Sequence, residues 1–215
     1  MDLLSSSFFW LGDAHNWTGT TGILLRLVQH LGITAVVVAV AALIALPIGI
    51  AIGHSGRGSG VVAAVAGAGR AIPTLGLLTL LGLFIGIGLL APSIALVVLA
   101  IPPLLAGAYA GVASVDPLVV KSARAMGMTP WQQISQVELP LAWPLILGGL
   151  RSACVQVIAT ATLAAYTADA GLGRFIFAGL KTRDYPQMVG GAIVVVLLAL
   201  LVELAFSIVP TRRAS

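Results

Sequence analysis

Arg151 and Glu203 are charged residues set well inside strongly apolar runs, LILGGLRSACVQVIATA and VVVLLALLVELAFSIV. A charge in hydrocarbon is costly, so such groups pair, face a polar path or reach toward the interface. Arg151 stands seven residues past Pro144, and Glu203 seven residues before Pro210. At a rise of about 1.5 Å per residue, both lie about 10 Å from the same end of their spans. Pairing across helices, lining a pathway and snorkelling all remain open. Catalytic chemistry finds little support. The three histidines, His15, His30 and His54, lack the spacing of a metal set. The glycine-rich GHSGRGSG lacks the Lys-Ser/Thr end that holds phosphate and magnesium. No nucleophile elbow is visible. The single cysteine, Cys154, cannot form an internal disulfide and reads as a small buried apolar residue.

The elements that must position these groups are membrane spans. The chain has 215 residues, of which 59% are hydrophobic and 8% charged. Soluble domains carry about 25% charged residues, so the composition is that of an integral membrane protein. Residues 1–22 form an N-terminal extracytoplasmic segment, turn-rich, with Trp10 and Trp17 suited to an interfacial belt. No basic region or cleavage site of a secretory signal is seen there, so no helix is expected to be removed. Five spans are expected in the transmembrane domain, residues 23–211: about 31–53, 71–90, 93–112, 141–165 and 188–209. Residues 54–70 and 166–187 are expected as loops. Pro102-Pro103 removes hydrogen bonds from the middle of the third span, which membranes tolerate only where neighbours satisfy the freed groups. The 25 glycines and many alanines offer faces for close helix packing. Five spans do not readily enclose a polar path, which suggests a pore between two subunits.

Basic residues set the orientation. With the C-terminus cytoplasmic, that side holds Arg57, Arg70, Lys121, Arg124, Arg212 and Arg213, against Arg26, Arg174, Lys181 and Arg183 outside. The net charge of +4 then reflects loops at a membrane, not nucleic-acid binding.

The longest polar interruption is DPLVVKSARAMGMTPWQQISQVELPLAWP, residues 116–144. Asp116-Pro117 starts a helix, with Asp as cap and Pro at the first position. That helix runs to about Met126, and Gly127 supplies a left-handed cap. Thr129-Pro130 starts a second helix, with Gln132 completing a capping box. It is expected to end near Glu138, because Pro140 disfavours helical geometry in Leu139. The outcome is a two-helix hairpin, a shaped docking surface.

This stretch resembles the EAA loop of ABC importer permeases: Glu-Ala-Ala, three residues, Gly, nine residues, an aliphatic residue, one residue, Leu-Pro. Ala123, Gly127, Val137, Leu139 and Pro140 occupy pattern positions, while Lys121 and Ser122 replace the usual Glu and Ala. SARAMGMTPWQQISQVELPLAWPLILGGLR, ATATLAAYTADAGLGRFIFAGL and RAIPTLGLLTLLGLFIGIGLLAP extend the resemblance to permeases of quaternary-amine osmoprotectant importers. The resemblance covers roughly residues 22–211.

It implies an all-α polytopic membrane protein with a cytoplasmic coupling hairpin, the type I ABC importer permease fold, in a bacterial inner membrane. Lys121, Ala123, Arg124, Gly127, Met128, Thr129, Val137, Leu139 and Pro140 would form the ATPase-coupling surface. Implied partners are an ATPase dimer that holds ATP and magnesium, a second permease of the same or similar sequence, a substrate-binding protein and the bilayer. The chain itself would bind no cofactor and catalyse nothing. Asp169, Gly171, Gly173 and Arg174 are candidates for binding-protein docking, with the glycines allowing a tight turn; Lys181, Arg183 and Asp184 add charge nearby. A quaternary ammonium is best held by an aromatic cage. Phe84, Tyr109, Trp143, Tyr166 and Phe206 show no spacing for one, so the strong substrate site is expected on the binding protein. Alternatives are a permease for another solute such as methionine, a secondary transporter, or a membrane scaffold. A secondary transporter should show inverted repeats and midplane ionisable groups, and no clear repeat is seen.

Overall fold

The computed structural model describes residues 2–209, with the side chain of Arg70 excepted. Arg212 and Arg213, which enter the orientation count, lie outside the described residues, as does the C-terminal limit of the expected domain. Every regular element among the described residues is helical. α1 (Leu3–Gly12) is followed by the long α2 (Ile23–Ser55), the pair α3 (Ser59–Ala71) and α4 (Thr74–Ile85), and α5 (Leu90–Ala113). Then come α6 (Pro117–Ala125), a single turn α7 (Pro130–Gln132), a π-helical segment Gln133–Glu138, and α8 (Leu139–Thr160). A 3₁₀ segment Ala161–Tyr166, α9 (Gly173–Thr182) and α10 (Tyr185–Ile208) complete the chain.

Four helical runs are long and apolar enough to cross a membrane: α2, α5, Pro130–Tyr166 and α10. The α3–α4 pair, bent by 87°, supplies a fifth crossing if it counts as one span. This corrects the expected loop 54–70, which is largely helical, and the expected span 71–90, whose helix begins at Thr74 and ends at Ile85. Alanine is the best helix former, so the small-residue piece VVAAVAGAG winds into α3. Pro73 then forces Ile72 into an extended conformation (φ −70°, ψ 119°), and the helix breaks there. The first span begins at Ile23, eight residues before the expected Leu31. The segment 1–22, expected as turns, contains α1, whose Trp10 meets Phe175 edge-on at 5.4 Å. Residues 166–187, expected as a loop, contain the amphipathic α9. It closes on Arg183 in a left-handed conformation (φ +61°), and Asp184 then caps α10.

α5 is the spine, packed on α2 and on α8. Val37, Ala41, Ala45, Leu104, Ala153 and Val157 make the main core. Small residues set the spacing: a Cβ on Gly107 would fall 2.7 Å from the Gly149 Cα, so the backbones of α5 and α8 touch. α5 runs through Pro102 and Pro103 without ending. Pro103 has no N–H for the Leu99 carbonyl, and the Gln156 side chain of α8 donates to that oxygen at 3.1 Å. A neighbour satisfies the freed group, as the bilayer requires.

Candidate functional site: the 116–140 hairpin and the two ends of the bundle

The hairpin is built by local hydrogen bonds. The Asp116 carboxylate accepts from the Leu118 N–H at 2.8 Å, with Pro117 behind it. At the other end of α6, Gly127 has φ +87°, a conformation that disfavours any Cβ. The Met128 N–H donates to the Ala123 carbonyl (3.2 Å) and the Gly127 N–H to the Arg124 carbonyl (3.0 Å), the paired bonds of a Schellman motif. Thr129 and Gln132 form the reciprocal capping box: Gln132 N–H to Thr129 Oγ1 at 3.3 Å, and Thr129 N–H to Gln132 Oε1 at 2.8 Å. Gln133 folds back and donates to the Met128 carbonyl at 2.7 Å.

One expectation fails here. The second arm does not end near Glu138. Leu139 is α-helical (φ −60°, ψ −46°), and the chain passes from α7 through the π segment into α8. In a continuous α-helix the Pro140 ring would clash with the carbonyl four residues back. The wider i→i+5 turn immediately before it relieves that clash. The hairpin's second arm is therefore the start of a membrane helix, not a separate short one.

The candidate coupling residues divide by exposure. Lys121, Arg124, Gly127, Thr129 and Pro140 are exposed, with Met128, Val137 and Leu139 half-buried and Ala123 buried. The hairpin also exposes bulky apolar side chains: Leu118 is 69% exposed, Met126 77% and Trp131 72%. Leu139 packs against Val112, Ala142 and Ile146, joining the hairpin to α5 and α8.

The structure brings Arg151 and Glu203 together. The Arg151 guanidinium donates to Glu203 Oε1, tying α8 to α10.

The candidate docking residues gather at the other end of α2. Arg26 donates to the Asp169 backbone oxygen at 2.6 Å and to its carboxylate at 2.9 Å, and Arg174 Nε reaches the same carboxylate oxygen at 2.8 Å. The Gly171 N–H donates to the Gln29 side chain at 3.1 Å. Fully buried His30 accepts from the Leu172 N–H on Nδ1, which leaves Nε2 to donate to the Ile158 carbonyl at 2.9 Å. Gly171 has φ +74° and does make the turn. Gly173 does not; it opens α9, and a side chain there would strike the Thr162 carbonyl. Arg26 and Arg174 also line a cavity of about 390 Å³ with Trp10, Asn16, Phe175 and Gln187. Sequence reasoning missed Arg26, Gln29 and His30 as a network, because their partners lie more than 120 residues away. The one available signal was an Arg and a His a helical turn apart in an otherwise apolar helix.

Residues 44–214 match the family described as the inner membrane component of binding-protein-dependent transport systems. The chain belongs to this family. It is 39% identical over 197 residues to the carnitine transport permease protein OpuCB of Listeria monocytogenes, covering 92% of this chain and 88% of that one. It is 32% identical over 180 residues to the glycine betaine/carnitine/choline transport system permease protein OpuCB of Bacillus subtilis, covering 84% and 83%. The fold resembles the inward-facing MetNI methionine ABC transporter, with a TM-score of 0.73 at 22% identity over 86% of this chain and 93% of that one. The architecture is thus the type I ABC importer permease fold. Permeases of this family work, in general, with a binding protein and an ATPase in the inner membrane.

Proposed function

We propose that this chain is the translocation subunit of an ATP-driven importer of osmoprotectants such as glycine betaine, choline or carnitine. The supporting observation is a hairpin stiffened by two interlocked caps, exposed at its tip, and continuous with a membrane helix. A stiff element running unbroken into α8 can carry rigid-body motion from a cytoplasmic ATPase into the bundle. Lys121, Arg124, Leu118, Met126 and Trp131 would meet a groove on that ATPase, which holds ATP and magnesium. The hairpin end of the bundle, and with it the C-terminus, would face the cytoplasm. Residues 1–22 would lie outside and 23–211 form the translocation domain. A second permease, identical or similar, would complete the pathway.

At the outer end, Asp169, Gly171, Gly173 and Arg174 would receive the binding protein. Asp169 bridges buried Arg26 and half-exposed Arg174 with its own side chain exposed, so a partner approaching there would meet a paired carboxylate and one guanidinium. The substrate class rests on what the relatives carry and on their likeness over most of this chain. The test is purification of the tagged permease from mild detergent, followed by uptake in proteoliposomes. Co-purification of an ATPase, with ATP-driven uptake of labelled betaine, choline or carnitine, is the expected result. Uptake of methionine in their place would overturn the substrate, and an intact complex without ATPase would overturn the importer.

A further inference from the structure

His54 stands in the last turn of α2, and Glu138 is the last residue of the π segment. His54 Nδ1 lies 2.9 and 2.8 Å from the two carboxylate oxygens of Glu138, across 84 residues of sequence. The Glu138 side chain is 4% exposed. A buried carboxylate is costly without a partner, and it can only accept, so Nδ1 carries the proton of this contact.

The π segment aims the carboxylate inward. Gln133 and Glu138 are both buried, although residues five apart on an α-helix point about 140° away from each other. The i→i+5 bonding brings them toward one side. Beside the pair lies the apolar cluster of Val112, Ala142 and Ile146, with Leu46, Ile50 and Leu139 packed on it. α2, α5, α8 and the hairpin converge there. Among the described residues, this contact supplies the hydrogen bonds between α2 and the 116–138 hairpin, and no other such bond is found.

We infer that His54 and Glu138 are a positioning pair that fastens the first span to the coupling hairpin. The inference rests on the reading that the hairpin meets an ATPase. The π segment is continuous with α8, so motion of the hairpin reaches α8 through the backbone. It reaches α2 through this side-chain pair. With the pair broken, α8 follows the ATPase while α2 lags, and hydrolysis proceeds without opening the path.

The test uses the whole complex in proteoliposomes, with basal hydrolysis and solute transported per ATP as readouts. Glu138→Gln keeps an acceptor for Nδ1–H and is expected to stay within about twofold of the natural protein. Glu138→Ala and His54→Ala are expected to keep assembly and basal hydrolysis while transport per ATP falls about tenfold, the scale of a lost contact to a charged group. The double variant should be no worse than either single one, because both remove the same contact. Should either alanine variant fail to assemble, the double variant, which strands no buried charge, carries the comparison against Glu138→Gln. Losses that multiply in the double variant, or hydrolysis and transport falling in parallel, would overturn the pair as a coupling contact. A natural complex with no ATPase activity would instead overturn the underlying importer reading.

Discussion

Gly127 concentrates the hairpin's geometry in one residue. Its φ of +87° costs a β-carbon-bearing residue about 1–2 kcal/mol. Asn tolerates this conformation better than a β-branched residue does. Gly127→Asn is therefore expected to retain most of the ATPase stimulation by loaded binding protein, and Gly127→Val to lose it, measured as hydrolysis by the reconstituted complex. Equal activity of the two would show that the turn is not needed. At the Arg151–Glu203 pair, removing one member strands the other, whereas removing both strands neither. Arg151→Leu or Glu203→Leu should lower the melting temperature in detergent more than the double variant does. These residues illustrate what a sequence discloses. Asp116-Pro117, Gly127 and Thr129-x-x-Gln132 act on neighbours within a few positions, so their caps were legible. The partners of Arg26 and His54 were not, because nothing local relates residue 26 to 169 or 54 to 138.

At the scale of elements, prolines explain both what was read and what was misread. Pro73 ends α3 by geometry alone, yet Pro140 ends nothing. The difference is the π turn before Pro140, which depends on burial of Gln133 and Glu138 against the rest of the bundle. Tertiary context overrode a local rule. In α5, the Leu99 carbonyl depends on Gln156 because Pro103 brings no N–H. Gln156→Ala is expected to destabilise the protein by about 1–3 kcal/mol, the cost of a buried unsatisfied acceptor. Pro103→Ala added to that variant should recover much of the loss by restoring the backbone donor, read by thermal denaturation in detergent. No recovery would mean that Gln156 stabilises the bundle in another way.

On the scale of the whole molecule, α2 joins two polar assemblies. From Arg26 to His54 it spans about 42 Å at about 1.5 Å per residue. One end holds the 169–174 segment and the other the hairpin. The two cations on the hairpin predict an acidic partner. Lys121→Glu should weaken ATPase co-purification, and the difference from the natural protein should shrink as salt rises. An effect that persists at high salt would point to packing rather than charge. The class of fold and the hairpin's place in it were legible from composition and local motifs. The α3–α4 break was misread although its causes, an alanine-rich run and Pro73, are local. The partly buried α9 was not legible, since it depends on packing against α10 and the 161–166 segment.

The central claim, that the hairpin tip seats in the ATPase while the 169–182 region lies on the opposite side, is tested most directly by photo-crosslinking. A photoreactive residue replaces Met126 at the hairpin or Leu180 on α9, both exposed in the isolated chain. On illumination of membranes containing the assembled transporter, the Met126 position should give an adduct whose mass is that of this chain plus one ATPase subunit. The Leu180 position should give none. An ATPase adduct from Leu180, or its absence from Met126 in an assembled complex, would contradict the account.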